Sequence, residues 1–344
     1  MPIAGYQWFK ISDKTPTFIM QRNRERPLLV VVTPIFNEAA LLDVYAAEVK
    51  RVLFGRSDVE VRIIFVDDGS ADGSWKIIRR WVEADDRFSA VRLSRNFGAH
   101  VALAAGFDHV PKDADLVATL ACDLQDPPET ILEFLQEWRK GASIVWGARR
   151  SRLDSHWRRG ASRLLEIGLR RYAMPRNSRF QTGSFFLMER VVLDSVRQFR
   201  EHARVTFALV AWTGFDQSVV PYDRRVCTGG RSGWTFAQML NTAYDVFIGF
   251  SPVPAKVLTA FGFVMLATSI VAVFYLVFTW LFHDVQVGWT GLMATMTLCF
   301  GLLFVMIGIS FEYLYRIFVE AKDRPLYFVS QQVGDVRRRE PVGD

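Results

Sequence analysis

Two long segments without charged side chains constrain the fold of this chain most strongly. Residues 257–283 and 285–311 each hold 27 residues with no Asp, Glu, Lys or Arg. A helix of that length measures roughly 40 Å, which is enough to cross the ~30 Å hydrocarbon core of a bilayer. The connection around Asp284 is too short to hold a domain. The pattern predicts a transmembrane helical hairpin over residues 256–283 and 286–315, and a buried helix pair in a soluble core is the alternative.

Basic residues predict how the hairpin is oriented. The short connection carries no Lys or Arg, whereas the flanking segments contain Lys256, Arg316, Lys322, Arg324 and Arg337–Arg339. By the positive-inside rule, both termini, including a tail over residues 316–344, are expected on the cytoplasmic side of the plasma (inner) membrane. Residues 1–26 form an N-terminal extension that has basic residues but no continuous apolar stretch, so it does not read as a signal peptide.

Composition indicates a polar part and a very apolar part. The mean hydropathy of +0.12 is high for a chain with 23% charged residues, and the 50% hydrophobic content excludes a disordered chain. Three well-separated cysteines give neither a disulfide framework nor a metal-ligand pair. The net charge of +6 suits an anionic partner, but nucleic acid, a lipid surface and a phosphorylated substrate all satisfy it.

The polar part alternates between short apolar runs and helical patterns. Strands are predicted over residues 28–33, 59–66, 90–93, 116–121 and 144–147, and helices over 38–53, 75–84, 101–109 and 128–139. This alternation predicts an α/β layer with a largely parallel sheet, in which ligands bind beyond the carboxyl ends of the strands. The residues with the most reactive side chains follow such ends, namely Asn37, Glu38, Asp67, Asp68 and Asp123.

Two acidic clusters are candidates for ligand binding. Adjacent carboxylates at Asp67 and Asp68 repel each other unless a ligand or a cation compensates. The alternative is an ordinary turn with Asp68 as a helix N-cap. Asp123 and Gln125 offer the hard oxygen ligands that Mg²⁺ or Mn²⁺ prefers, with phosphates completing the shell. Asp126 precedes two prolines and Glu129, a helix-start pattern that favours a structural role over a catalytic one.

Several motifs occur in a fixed order along the chain. They are VVTPIFNEA from Val31, VDDGSADGS from Val66, LSRNFGAHVALAAGFDHV from Leu93, CDLQDPPE from Cys122, GRSGWTF from Gly230 and EYLYRIFVEAKDRPLYFV from Glu312. Together they resemble family 2 glycosyltransferases of the GT-A fold, specifically the polyprenyl-phosphate glycosyltransferases related to dolichyl-phosphate mannose synthase. The resemblance covers about residues 28–329. It implies a Rossmann-like, mostly parallel GT-A catalytic domain over residues 27–235 on the cytoplasmic side. The implied reaction is inverting transfer of a monosaccharide from a nucleotide sugar to polyprenyl (undecaprenyl) phosphate.

The resemblance also implies roles for individual residues. The nucleotide-sugar pocket would contain Pro34, Phe36, Glu38, Asp67, Asp68 and Asp123, with the divalent metal, Mg²⁺ or Mn²⁺, on Asp123 and Gln125. The catalytic residues would be Asp123, Arg149 and Arg231. The acceptor phosphate would meet Arg149, Arg159, Arg225, Arg231, Ser232 and Trp234, some of them in a glycine-rich loop that closes over both substrates. The alternative for that loop is a plain exposed turn.

Two departures from the family pattern concern carboxylates. Ala121 stands where the family commonly has the first Asp of Asp-Ala-Asp, which implies a changed metal shell. Ser184 stands where many members have an Asp proposed as a base. A phosphate monoester has a second pKa of about 6, so the acceptor is already largely an anion and its attack needs no strong base.

Two apolar stripes at helical spacing precede the hairpin. One, over about residues 156–173, lies in a segment rich in arginine, and the other spans residues 236–252. Trp157 and the helical period favour helices at the membrane interface over a nucleic-acid surface. The alternative is that both stripes are ordinary core-facing helices.

Two other functions compete with the transferase. A processive polysaccharide synthase normally carries a Gln-x-x-Arg-Trp motif and more spans, and this chain has Arg80-Trp81 without the Gln at that offset. A membrane-anchored, non-catalytic descendant is suggested by Ala121 and Ser184. The sequence does not determine which sugar or which nucleotide the donor carries, although UDP is the more common nucleotide in the family. It also leaves open whether the chain forms a homo-oligomer.

Overall fold

The structure is a computed structural model of the 344-residue chain. It describes residues 26–150, 183–199, 201–202, 204–225, 260–264, 267–268, 270–271, 274–275, 278, 281–282 and 288–335.

Within these residues, one mixed sheet carries the fold. Its strands are β1 (Leu28–Ile35), β2 (Glu60–Asp67), β3 (Phe88–Leu93), β4 (Leu116–Thr119), β5 (Ile144–Arg149), β6 (Phe186–Glu189), β7 (Gln217–Tyr222) and β8 (Val329–Val333). Their order across the sheet is β7-β5-β6-β4-β1-β2-β3-β8. All neighbouring pairs are parallel except those that involve β6 or β8. The carboxyl ends of β1, β2, β4, β5 and β7 therefore share one edge of the sheet.

Helices cover both faces of this sheet. They are α1 (Leu42–Val49, continued by a wider turn over Lys50–Phe54), α2 (Ser74–Ala84), α3 (Ala99–Asp108), α4 (Thr130–Arg139), α5 (Arg190–Val196) and α6 (Thr206–Trp212). A seventh helix, α7 (Trp289–Ala321), belongs to the apolar part of the chain. Strand β1 shows why two layers form, because its side chains alternate between two buried clusters. Val30 and Val32 belong to one apolar cluster, and Leu29 and Val31 belong to the other.

The predicted α/β class and its largely parallel sheet are confirmed, and each of the five predicted strands is present. Three strands were not predicted. β6 and β7 follow the arginine-rich segment and complete the sheet beyond β4, whereas β8 lies in the segment that the sequence suggested was only a tail.

The apolar part contains one helix that is long enough to cross a membrane, among the residues described. This candidate span is Cys299–Ala321, with 23 residues and a mean hydropathy of 1.8, and none of it is buried inside the molecule. Of the first predicted span, residues 260–264 are helical, and a Cβ added at Gly262 would lie 3.2 Å from Met306 Cε of α7. Half of the residues in that first span lie outside the described residues, so the two-helix hairpin stays a prediction.

The chain returns to the sheet directly after α7. Residues 322–328 connect the helix to β8, which pairs antiparallel with β3. Side chains secure this return, because Trp75 Nε1 donates to Gln331 Oε1 at 2.6 Å and Tyr327 Oη donates to Asp108 Oδ2 at 2.9 Å. Seven residues span at most about 25 Å, so the sheet is tethered close to the end of the apolar helix.

His202 joins the α5–α6 connection to the same helix end. Its backbone N–H donates to Glu320 Oε1 at 2.8 Å, and its ring nitrogens lie 3.0 Å from Glu320 Oε2 and 2.6 Å from the Arg324 carbonyl oxygen. A carboxylate and a carbonyl only accept hydrogen bonds, so both ring nitrogens must carry hydrogen. The geometry therefore corresponds to the protonated imidazolium, and the hydrogen bond to Glu320 raises the pKa of His202.

This contact predicts a pH-dependent stability. Because the pKa of His202 is raised in the folded protein, the contact stabilises fully below the ordinary histidine value of about 6.5 and is lost as pH rises through the folded-state pKa. We expect His202→Gln to lower the melting temperature at pH 6, with a difference from wild type that shrinks at alkaline pH. Thermal unfolding of both proteins across this pH range measures it, and a difference that stays constant with pH would contradict the prediction.

Candidate functional site

The loops after β1 and β2 interlock at the carboxyl edge of the sheet. The Asn37 N–H donates to Ser70 Oγ at 2.9 Å, and the Ala71 N–H donates back to Asn37 Oδ1 at 2.9 Å. The Glu38 N–H donates to Ser74 Oγ at 3.1 Å. Asn37 adopts a φ of 55°, a left-handed conformation that asparagine tolerates better than most residues. These bonds give the two loops one fixed relative position.

Asp67 is held inside this loop pair. Its side chain is fully buried; the Ser70 N–H donates to Oδ1 at 3.0 Å, and Arg92 Nε lies 3.0 Å from Oδ2. Arg92 also donates to the Ser70 carbonyl oxygen at 2.9 Å. The sequence did not single out Arg92, although its place near the carboxyl end of β3 was a signal. The predicted contact of Asp67 with a nucleobase stays a prediction.

Asp68 holds a third loop at the same edge. Its two carboxylate oxygens accept from the Phe97 N–H at 2.7 Å and from the Gly98 N–H at 2.8 Å, just before α3. Burial raises the pKa of Asp68. The alternative of a helix N-cap is wrong for the helix that follows, because α2 is capped by Gly73 without a side-chain bond. The role of Asp68 toward a ribose stays a prediction.

Two predicted pocket residues stand at the end of β1. Pro34 lines a small cavity described below, and the Phe36 side chain is 44% exposed directly beyond the strand. An exposed aromatic ring beside a polar loop is available for packing against a ligand. Its contact with a base is untested and stays a prediction.

Asp123 lies in a second acidic loop, after β4. The Gln125 N–H donates to Asp123 Oδ1 at 3.1 Å, across Leu124 at a φ of 51°. Burial raises the pKa of Asp123, and the nearby Asp126 carboxylate adds to this. Glu38 belongs to the same charge cluster, because burial and then the Asp123 carboxylate raise its pKa. The β1 and β4 loops thus bring carboxylates together at one place.

This cluster suits a divalent cation. Its carboxylates are half-buried and repel one another, and a bound cation would remove that repulsion. No group of three or more His, Cys, Asp or Glu side chains arranged for a metal is present in the described part of the chain. The assignment of a divalent metal to Asp123 and Gln125 stays a prediction.

Arginines face the acidic loop from β5 and β7. Arg149 Nε donates to Tyr222 Oη at 3.4 Å, and Tyr222 Oη donates in turn to Asp126 Oδ1. Arg224 Nε lies 3.9 Å from the same Asp126 oxygen. Positive and negative side chains thus meet across the sheet edge. Tyr222 and Arg224 were not identified from the sequence, because only the pairing of β5 with β7 brings them here.

A small cavity of about 40 Å³ opens between these loops. Its lining residues are Pro34, Leu103, Thr119, Leu120, Ala121, Asp126 and Ser184. The two positions that lack the family's carboxylates, Ala121 and Ser184, thus share one cavity. Among the described residues that line it, Asp126 alone is charged; the structural role that the sequence favoured for it stays a prediction.

Arg225 is engaged with protein carboxylates. Its guanidinium lies 3.0 Å from Glu48 Oε1 and 2.8 Å from Glu129 Oε2, and its N–H donates to the Gln125 carbonyl oxygen at 2.9 Å. It ties α1 and the start of α4 to the acidic loop after β4. Its predicted contact with the acceptor phosphate would require these ion pairs to rearrange.

The remaining predicted site residues lie outside the described residues. They are Arg159, Arg231, Ser232 and Trp234, together with the interfacial stripes over 156–173 and 236–252.

Comparison with known proteins identifies the family. The family model for Glycosyl transferase family 2 matches residues 30–197, which contain both acidic loops. A glycosyltransferase of Synechocystis, sll0501, is 34% identical over 89% of this chain and 96% of the relative. The chain belongs to glycosyl transferase family 2. It is therefore a glycosyltransferase, and its family 2 motifs coincide with the loops at the carboxyl edge of the sheet.

Two further proteins resemble this family 2 enzyme. The bactoprenol glucosyl transferase of Shigella phage SfV is 29% identical over 88% of this chain and 98% of that protein. Among solved structures, the mannosyltransferase PcManGT from Pyrobaculum calidifontis aligns with a TM-score of 0.45 and 17% identity, over 74% of this chain and 82% of that one.

Proposed function

We propose that this enzyme transfers a monosaccharide, with inversion, from a nucleotide sugar to a polyprenyl phosphate at the cytoplasmic face of the membrane. The relative named as a bactoprenol glucosyl transferase aligns over 98% of its length, which supports a lipid phosphate as acceptor. The observation that carries the proposal is the tether between site and apolar helix. β8 follows α7 after seven residues and pairs with β3, so the sheet edge stays near the end of the candidate span.

Different residues at the site would bind different parts of the two substrates. Asp67, Asp68 and the linked loops would form the nucleotide pocket, with Phe36 at its rim. Arg149 would face phosphate oxygens from the end of β5. A divalent cation, Mg²⁺ or Mn²⁺, held by Asp123 and Gln125 would neutralise the charge that develops on the diphosphate leaving group. The acceptor phosphate attacks the anomeric carbon as an anion, so Ser184 in place of a base is compatible with turnover.

An assay with purified protein tests this function. The protein in nanodiscs receives labelled UDP- and GDP-sugars, undecaprenyl phosphate and Mn²⁺ or Mg²⁺. We expect one donor to give a labelled, acid-labile lipid-phosphate monosaccharide, and EDTA to stop its formation. A long labelled polymer would instead indicate a processive synthase. Absence of transfer with every donor would support a non-catalytic descendant, and either result overturns the proposal.

A further inference from the structure

We propose that Tyr222 is a positioning residue for Arg149. Its hydroxyl group links the Arg149 guanidinium to the buried Asp126 carboxylate and so fixes the direction in which Arg149 meets the acceptor phosphate. The inference rests on the proposed function for the identity of that phosphate, whereas the linkage itself is a property of the described residues.

The backbone places the two side chains opposite each other. Arg149 and Tyr222 are the last residues of β5 and β7 and are direct partners in their parallel pairing. The Arg150 N–H donates to the Tyr222 carbonyl oxygen at 2.9 Å, which holds this register at the strand ends. The Tyr222 ring packs edge-on against Phe185 with ring centres 5.3 Å apart. The hydroxyl position is therefore set by the sheet rather than by a mobile side chain.

The chemistry of the three groups fixes the direction of the hydrogen bonds. A guanidinium only donates and a carboxylate only accepts, so the phenol must accept from Arg149 and donate to Asp126. Burial, with the nearby Asp126 charge, raises the pKa of Tyr222, and the hydroxyl therefore keeps its proton at neutral pH. Asp126 is 7% exposed and cannot turn toward solvent without breaking this bond.

The hydrogen bond to Tyr222 does not use the two terminal nitrogens of the Arg149 guanidinium. Among the described residues, the Tyr222 hydroxyl bonds Arg149 through Nε alone. The two terminal nitrogens can therefore bind phosphate oxygens as a fork. The Arg149 side chain is exposed, and an exposed arginine otherwise samples many rotamers, which lowers its affinity for a ligand. Restricting those rotamers before the lipid arrives is what a positioning residue contributes.

Tyr222→Phe tests the inference because it keeps the ring and removes only the hydroxyl. We expect KM for undecaprenyl phosphate to rise about tenfold, which corresponds to about 1.4 kcal/mol. The affinity for the nucleotide sugar should stay close to wild type, whereas the melting temperature should fall because the buried Asp126 carboxylate loses its donor. The matched control is Ser195→Ala on α5, which also removes one hydroxyl, here a donor to the Val191 carbonyl oxygen. The control should leave KM for undecaprenyl phosphate and the affinity for the nucleotide sugar unchanged.

Two results would overturn the inference. One is an unchanged KM for the lipid in Tyr222→Phe. The other is a loss of donor affinity and kcat as large as the loss in lipid KM, which would indicate a purely structural hydroxyl. A second readout needs no turnover: phenylglyoxal should modify Arg149 faster in Tyr222→Phe than in wild type, as followed by peptide mass spectrometry. If wild type makes no lipid-linked sugar, the proposed function fails and this rate still decides the inference, with equal rates refuting it.

Discussion

Asp123→Asn is expected to lower kcat/KM of sugar transfer by about a thousandfold while the protein stays folded. The substitution keeps the size of the side chain and an oxygen that can accept the Gln125 N–H, but removes the negative charge. Cation stabilisation of a leaving group contributes several kcal/mol, and a loss of about 4 kcal/mol corresponds to that factor. Steady-state assays with saturating Mn²⁺ measure the effect, and calorimetric titration of Mn²⁺ with the nucleotide diphosphate should show weaker metal binding.

The matched control for this charge removal is Asp113→Asn. Asp113 is an exposed carboxylate on the connection between α3 and β4, at the opposite edge of the sheet, where Arg62 lies 3.7 Å away. Surface ion pairs of this kind contribute little, so activity should not change. Full activity of Asp123→Asn with unaltered Mn²⁺ binding would show that the acidic loop after β4 does not hold the metal.

The parallel core of the fold was predictable because its information is local. Each of the predicted strands is a short apolar run bounded by turn residues, and the helices between them show their own period. β1 illustrates this, since it is buried on both faces and reads as a continuous apolar segment. The alternation of strands and helices was enough to predict that the strand ends share one edge. The structure has Glu38 and Asp123 close together at that edge, because the Asp123 charge raises the pKa of Glu38.

The unpredicted strands depend on pairing between distant segments. β8 has a mostly exposed, polar pattern, and nothing in Val329–Val333 itself indicates that its partner is β3, more than 200 residues earlier. The same limit hid Tyr222, whose position opposite Arg149 requires the pairing of β5 with β7. Short segments of sequence reveal the periodicity of single strands and helices. The contacts of β8 and Tyr222 depend instead on the tertiary arrangement of the whole sheet.

Asp67 and Asp68 show a different limit. The sequence correctly marked them as costly neighbours that need compensation, and left a ligand and a turn as alternatives. In the structure, Arg92 and the Ser70 N–H contact the Asp67 carboxylate. The Phe97 and Gly98 N–H groups donate to Asp68, whose pKa burial still raises. The pair therefore shapes the pocket by holding the loops before α2 and α3, whatever contact it makes with a nucleotide.

The loops before α2 and α3 approach each other closely at Gly69. Of the positions in these loops, Gly69 is therefore the most sensitive to substitution. We expect Gly69→Ala to destabilise the protein by about 3 kcal/mol. Gly69 has a φ of 70°, and a Cβ there would lie 2.5 Å from the Arg95 carbonyl carbon and 2.9 Å from the Asn96 nitrogen. Backbone atoms cannot rotate away, so the segment that Asp68 anchors at Phe97 must shift. The melting temperature should fall by roughly 6–12 °C, and donor affinity should fall with it.

Gly73→Ala is the control in the same turn. Gly73 has a φ of −74°, and its added Cβ would meet only the Ala39 side chain at 4.0 Å. A change without strain or collision normally stays within about 0.5 kcal/mol, so this variant should melt and bind donor like wild type. Differential scanning fluorimetry and donor titration compare the two alanine variants. The two variants add the same methyl group four residues apart. Equal behaviour of both would show that the loop from Ser94 to Gly98 is not locked against the Asp67–Asp68 turn, which would contradict the close packing of these two loops.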